Sequence, residues 1–329
     1  MDSLTQIALG SAVAIAVVGK HSTVRKAALW GAVAGTLPDL DVFVDYGDAL
    51  SNMVYHRGET HALFYLSLFS PFLAALICRI HGEFKLFKHW WLAVSLVLIT
   101  HPLLDTMTVY GTQLLLPFSN YPFGIASIFI IDPLYTLPLL IGIGWACFKP
   151  RQWLAASWCG LGLSSAYLMW TVVAQHHVTQ LANQQLTGVP HQQVLVQPTP
   201  LNTILWRVVV MTPDGYLEGF YSFTDNSQKV EFNTVALDHS LLLKYRQHPE
   251  VQTLARFSHG FFSLVKQDQQ LILSDLRMGL QGNYAFSFVI DPDMQIPASA
   301  VPADYQFADT LSWVWQRLTN NPVTEPVRH

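Results

Sequence analysis

The sequence predicts a mainly α protein: a polytopic transmembrane helical bundle of about four to six membrane helices, followed by a small α+β soluble domain. Three observations carry this expectation. Of the 329 residues, 51% are hydrophobic and only 12% are charged, about half the charged share of an ordinary soluble domain. The apolar residues gather into six runs in the first half of the chain. Lys and Arg alternate between the links that join those runs.

About 20 apolar residues are needed to cross the ~30 Å hydrocarbon core as a helix. Runs 61–80, 90–107, 127–148 and 153–173 meet that length, whereas 4–18 and 27–37 are short and read as tilted helices or a re-entrant hairpin. Only Met1, Asp2 and Ser3 precede the first run. Without a basic leader region it reads as a retained helix rather than a cleaved signal. Lys20, Arg25, Lys26, Arg79, Lys85, Lys88, Lys149 and Arg151 fall in the links after the first, third and fifth runs, and Arg57 alone in the alternate links. Cytoplasmic loops accumulate positive charge, so both termini are expected outside, with the chain multi-pass in a bacterial inner membrane.

The net charge of −4 comes with no basic block, which argues against a nucleic-acid partner, since such binding needs a clustered cationic footprint. Cys78, Cys147 and Cys159 lie far apart and offer neither a disulfide framework nor a zinc ribbon.

The expected division is a membrane domain over 1–175, a polar linker over 176–200 and an α+β extracytoplasmic domain over 201–329. Strand-like stretches 203–211 and 216–223 flank Thr212-Pro213-Asp214-Gly215, which is turn chemistry for a hairpin. A second pair is read at 261–266 and 270–276, another strand at 284–290, and helices at 239–257 and 310–318.

Ionisable residues at membrane segments are costly unless paired, solvated or metal-bound, so they default to functional candidates. Four groups stand out: Asp39 and Asp41 in PDLD, His56 to His61 in HRGETH, His101 and Asp105 in HPLLD, and Asp132 before Pro133. Under the charge-derived orientation all four lie at the outer end. His and Asp are ligands of zinc and related divalent metals. His101 and Asp105, four apart, share a helix face. His56 and His61, five apart, suit a loop that Gly58 allows to turn, with Thr60 placed to cap the following helix. Asp132 is read first as a turn residue and Asp2 as a helix cap. His21, His81 and His89 lie among the cytoplasmic basic residues and are read as bystanders, and His176 and His177, in the linker, are read as solvated. Arg57 is either a headgroup anchor or a clamp for a phosphate or carboxylate.

MDSLTQ, PDLD, HRGETH and HPLLDTMTVYGTQLLLPFS together resemble the YdjM-like family of membrane-bound metal-dependent hydrolases, described in part as LexA-regulated inner-membrane proteins. The resemblance covers about the first 175 residues, and PTPLNTILWRVVVMTPDGYLEGFYS with SDLRMG is similar to the C-terminal region of longer members. Members often carry His where this chain has Gln6, so no ligand is carried over there. A more distant similarity to the helical zinc-dependent phospholipase C and P1 nuclease group implies phosphoester chemistry by analogy.

The expectation is therefore a metal-dependent hydrolase at the outer membrane-water interface. His56, His61, His101, Asp105 and Asp39 would hold one or two divalent ions, zinc first, with Mn or Mg as alternatives. Asp41 or Glu59 would accept a proton from the activated water, and Arg57 would stabilise developing charge. Membrane lipids are the expected surroundings, with a lipid or lipid-linked phosphate as substrate. The rival expectation is a metal-binding membrane transporter or accessory protein without hydrolysis.

Overall fold

The computed structural model describes residues 1–149, 152–280, 282–302 and 307–319; Arg151, counted above among the basic link residues, lies outside them. The chain forms two compact units. The first comprises 1–44, 57–125 and 130–171, and the second 45–56, 126–129 and everything from Val172 onward.

The first unit is helical. α1 (Ser3–Val18) starts at Asp2, whose carboxylate accepts from Thr5 N, and α2 (Val24–Thr36) starts at Thr23, whose hydroxyl accepts from Lys26 N. A 3₁₀ turn over Pro38–Phe43 follows, and the chain then enters the second unit, where α3 (Ala49–Tyr55) is capped by Asp48. It returns at Arg57, makes a short 3₁₀ turn over Glu59–His61, and continues as α4 (Leu63–His81), α5 (Phe87–Asp105) and α6 (Pro133–Phe148). Asp132 accepts from Leu134 N, Tyr135 N and the Tyr167 hydroxyl. It is the N-cap of α6, where the sequence reads as a turn.

α1 and α2 meet backbone to backbone. A Cβ on Gly31 would stand 2.3 Å from Gly10 O, and one on Gly35 would stand 2.6 Å from Gln6 O. Each helix thus joins two polar ends. At one end Glu83 pairs with Lys26, accepts from Ser22 and Trp90, and lies beside the Trp30–His81 hydrogen bond. The PDLD, HRGETH and HPLLD residues occupy the other.

The expected bundle of four to six membrane helices is not what forms. Among the described residues one helix, α4, is long and apolar enough to cross a membrane. Apolar runs overstate helix length where the backbone does not stay helical. In run 127–148 the first six residues precede α6, leaving 16, as in α1. At 1.5 Å per residue that is about 24 Å, short of ~30 Å. α5 opens on Phe87-Lys88-His89 and carries His101 and Pro102 near its end, which dilutes its apolar stretch. The expected periplasmic placement of the C-terminal domain depended on counting six spans and loses that support.

α7 (Trp153–Gln185) runs unbroken for 33 residues through the boundary between the units. The stretch read as a linker at 176–200 therefore holds the end of a helix and strand β1 (Gln193–Pro198). β1 pairs antiparallel with β2 (Leu205–Thr212), then β3 (Gly215–Ser222), then β4 (Glu231–Ala236). Thr212 faces Gly215 across the two-residue Pro213-Asp214 turn. Gly215 has φ 153°, and a Cβ there would stand 2.0 Å from Val235 O, so the turn needs glycine. Trp206, Val208, Val210 and Tyr221 pack on Ala174, Val178 and Ala182 of α7.

The other face buries Val209, Met211 and Tyr216 against Phe261 and Leu276. It also holds the buried Arg207–Glu218 ion pair. The single helix expected over 239–257 is split into α8 (His239–Tyr245) and α9 (Pro249–Phe257), with His248 extended before Pro249; proline pushes its predecessor out of helical geometry. β5 (Phe262–Gln267) and β6 (Gln270–Asp275) form a hairpin. After the short pair β7 (Gly279–Leu280) and β8 (Asn283–Tyr284), β9 (Ser287–Ile290) and β10 (Ser299–Ala300) complete a second sheet ordered β10-β9-β6-β5. α10 (Phe307–Leu318) follows, with Trp313 and Val314 packed on Leu205 and Phe220.

The glycine crossing yields a direct test. Gly31→Ala should lower stability in detergent by about 1–3 kcal/mol through overpacking, whereas Gly144→Ala, with nothing within 4 Å of its Cβ, should not. Equal thermal midpoints for the two variants would show that α1 and α2 do not meet as described.

Candidate metal centre

Asp39, His61, His101 and Asp105 each turn one ligand atom toward a common point, and those atoms lie within 4.8 Å of one another. They come from three segments of the chain: the 3₁₀ turn after α2, the HRGETH turn, and the last two turns of α5, which carry both His101 and Asp105. His61 Nε2 stands 3.2 Å from His101 Nε2, 3.3 Å from Asp105 Oδ2 and 3.4 Å from Asp39 Oδ1. His101 Nε2 stands 3.4 Å from both carboxylates. Both imidazoles and Asp105 are buried, while the Asp39 side chain is 17% exposed, so the centre opens on the Asp39 side.

The hydrogen bonds behind the rings decide which way their lone pairs point. Thr60 has one hydroxyl proton, and Asp41 Oδ2 takes it at 2.6 Å. Thr60 Oγ1 can then only accept from His61 Nδ1, at 2.9 Å. His101 Nδ1 lies 2.7 Å from Gly35 O, and a carbonyl only accepts. In both neutral rings the proton is therefore on Nδ1 and the Nε2 lone pair faces the centre. Asp105 Oδ1 accepts from Gln6 Nε2 at 3.2 Å and from the Met1 α-amino group, and Arg57 Nη1 stands 3.5 Å away as an ion pair without a hydrogen bond. Asp105 Oδ2 has no hydrogen-bond partner.

Four acceptors thus converge with no donor among them, an arrangement that burial makes costly unless a cation sits between them. The spacing identifies the kind of cation. Zinc bonds nitrogen and oxygen ligands at about 2.0–2.2 Å in a tetrahedron, whose edges are then about 3.3–3.5 Å. Four of the separations fall in this range, and the His61–His101 distance of 3.2 Å lies just below it. Octahedral magnesium or calcium sites built from oxygen alone are a poorer chemical fit.

The field between these groups is strong even without an ion. Without an ion the centre draws protons onto the rings instead: burial pushes the Asp39 carboxyl up, but His101 and His61, once protonated at Nε2, donate to it and hold it well below the usual carboxylate range. Burial likewise pushes His61 down, and the Asp105 and Asp39 carboxylates more than reverse this, leaving it raised.

Among the sequence candidates, Asp39, His61, His101 and Asp105 meet in one group. His56, expected as a ligand, does not belong to it: it ends α3 with ψ 128° and lies in the second unit. Asp41 is buried behind His61, accepting from Arg57 N at 2.9 Å and from Thr60. It orients a ligand and does not stand as an open base. Glu59 is exposed at the head of the His61 turn and lies outside the group. Arg57 is buried beside Asp105 under the Tyr110 ring.

The sequence gives no sign of Thr60 as the partner of His61 Nδ1, of the Gly35 carbonyl as that of His101, or of Gln6 as a donor to Asp105. Thr60 and Asp41 within the two motifs offer one faint cue, a hydroxyl and a carboxylate beside a prospective ligand.

Residues 1–178 match the YdjM inner membrane protein family, and the chain belongs to that family. It is 23% identical over 312 residues to the uncharacterized protein YfhP of Bacillus subtilis, covering 88% of this chain and 90% of that one. It is also 34% identical over 86 residues to the inner membrane protein YbcI of Escherichia coli, covering 25% of this chain and 46% of that one. No solved structure matches.

Removing the support of one imidazole tests the arrangement. Thr60→Val should weaken zinc binding about 10–100-fold, the usual cost of losing such a partner, and Thr60→Ser should restore it, as read by chelator competition. Unchanged affinity in Thr60→Val would remove Thr60 from the centre.

Proposed function

We propose that this member of the YdjM inner membrane protein family is a metal-dependent hydrolase, with Asp39, His61, His101 and Asp105 holding one divalent ion, zinc by preference. The observation that carries this reading is the convergence of two inward Nε2 lone pairs and two carboxylate oxygens with no donor between them.

When bound, such an ion supplies Lewis-acid activation of water near neutral pH and polarises the bond to be cleaved. The surrounding residues do the rest. Asp41 and Thr60 fix the His61 ring, and Gly35 fixes the His101 ring, so neither needs to reorganise during turnover. Gln6 holds Asp105 Oδ1 and so keeps Oδ2 turned inward. The partly exposed Asp39 side admits water and substrate. Arg57 sets a fixed positive charge beside Asp105, where negative charge developing on the substrate would be stabilised. Glu59 is the motif carboxylate not engaged in the group, and it is the proton acceptor in this reading.

Between the two polar ends the buried residues of α1, α4 and α5 include Ala12, Val13, Leu73, Ala74, Val94 and Val97, with the hydroxyls of Ser11 and Ser70 but no charged side chain among them. That favours a centre at one end over the chain of polar groups an ion path requires. Arg79, Lys85 and Lys88 gather at the C-terminal end of α4, while α4 begins two residues after His61. By the preference of Lys and Arg for the cytoplasm, the centre lies toward the outer face.

Two experiments test these statements. The purified full chain should carry about one zinc per molecule, lost in the His61→Ala/His101→Ala double variant together with turnover of bis(p-nitrophenyl) phosphate; metal retained by that variant would overturn the ligand assignment. Asn120→Cys, in a chain whose three native cysteines are replaced, should react with a membrane-impermeant maleimide in intact spheroplasts. Labelling only after lysis would reverse the orientation.

A further inference from the structure

Arg57 is only 4% exposed, yet its Nε and Nη1 donate no hydrogen bond. A buried guanidinium ordinarily spends its donors on protein acceptors. Here Nη1 reaches Asp105 Oδ1 only at 3.5 Å, and the guanidinium carbon lies 4.8 Å from the centre of the Tyr110 ring. The backbone is held in the left-handed region at φ 68°, a conformation costly for a residue with a side chain. It stays there because Arg57 N donates to Asp41 Oδ2 and Arg57 O accepts from Gln113 N. The fold thus keeps a cation buried beside the four ligands with donors to spare, and a fork of this geometry matches phosphate oxygens.

The second observation is the surface around the same centre. Directly after Asp39 the chain exposes Leu40, Val42, Phe43 and Val44, with Phe43 84% exposed. Three residues after His61, Phe64 packs edge-on against Phe118 at 5.4 Å, and Phe118 is 78% exposed. Leu63 N bonds to Leu114 O and holds that loop against the start of α4. Single exposed apolar residues are ordinary, but several of them following two ligands of a charged site in sequence suit a binding surface.

We infer that the centre takes a phosphate group carried on a lipid, with Arg57 and the metal ligands facing the phosphate and Leu40, Val42, Phe43, Val44, Phe64 and Phe118 lying along the acyl chains. This rests on the hydrolytic reading above and names its substrate class. In the reaction, a water oxygen bonds to phosphorus and the ester P–O bond breaks. One proton of the water ends on the departing alkoxide oxygen, giving an alcohol and a phosphate with one ester link fewer.

The test compares ligand binding to the zinc-loaded full chain in phosphatidylcholine nanodiscs, with empty discs subtracted. The ligands are dihexanoyl phosphatidate, dihexanoylglycerol and inorganic phosphate. Dihexanoyl phosphatidate should bind at least about tenfold tighter than either of the others, and Arg57→Gln should weaken it about 10–100-fold, the range for a lost charged hydrogen bond. Val42→Ser/Phe43→Ser should abolish its preference over inorganic phosphate. Zinc content reports whether each variant is folded; if Arg57→Gln loses zinc, Arg57→Lys and the wild-type ligand series decide. Equal binding of inorganic phosphate and phosphatidate would overturn the lipid assignment, and equal binding of phosphatidate and dihexanoylglycerol would overturn the phosphate assignment. Turnover of bis(p-nitrophenyl) phosphate without a preference for phosphatidate would sink this inference alone. Phosphatidate preference without any phosphoester turnover would sink the hydrolytic reading instead.

Discussion

Two carboxylates and two imidazoles, all presenting lone pairs to one another at about the edge length of a zinc tetrahedron, form the constraint on which the rest of this protein depends. Buried acceptors repel unless something positive lies among them. The fold nonetheless commits a hydroxyl, a carbonyl and a further carboxylate to holding the rings in that orientation. Any cation held at this end of the first unit depends on that commitment.

The glycine crossing serves the same end. Because Gly31 and Gly35 let α2 lie directly on α1, the Gly35 carbonyl comes within 2.7 Å of His101 Nδ1 and Gln6 reaches Asp105. Helix packing and ligand orientation are therefore one device. A side chain larger than hydrogen at that crossing would displace both the backbone and the group that fixes the His101 tautomer.

Much of the site is legible in the chain, and its limits have physical causes. His101 and Asp105 could be read because helical spacing puts them on one face, and His61 because a histidine at the mouth of an apolar run calls for a partner; Thr60 is legible only as a helix cap. His56 could not be excluded that way, since it sits in the same motif but ends α3 with an extended backbone, a matter of three-dimensional context. Asp39 and Asp41 could be read as a pair, two ligands or a ligand and the residue behind it, but an extended segment would point both the same way, whereas the 3₁₀ turn sends Asp39 to the centre and Asp41 to Thr60. The count of membrane helices failed for a related reason. An apolar run records composition, while a span needs unbroken helix, and at Asp132 the backbone starts a helix six residues into its run. In the second unit the Pro213-Asp214 turn fixed a hairpin locally, whereas Pro249 broke a stretch whose composition alone reads as one helix.

The central claim is that a single small cation is held by two imidazoles and two carboxylates. Zinc K-edge absorption on the purified full chain tests it most directly. Bound zinc should show a shell of nitrogen and oxygen at about 2.0–2.2 Å, the four side chains and one water, with outer-shell scattering from two imidazole rings that falls to one in His101→Ala. A sulfur shell, or an imidazole signal that His101→Ala leaves intact, would contradict it.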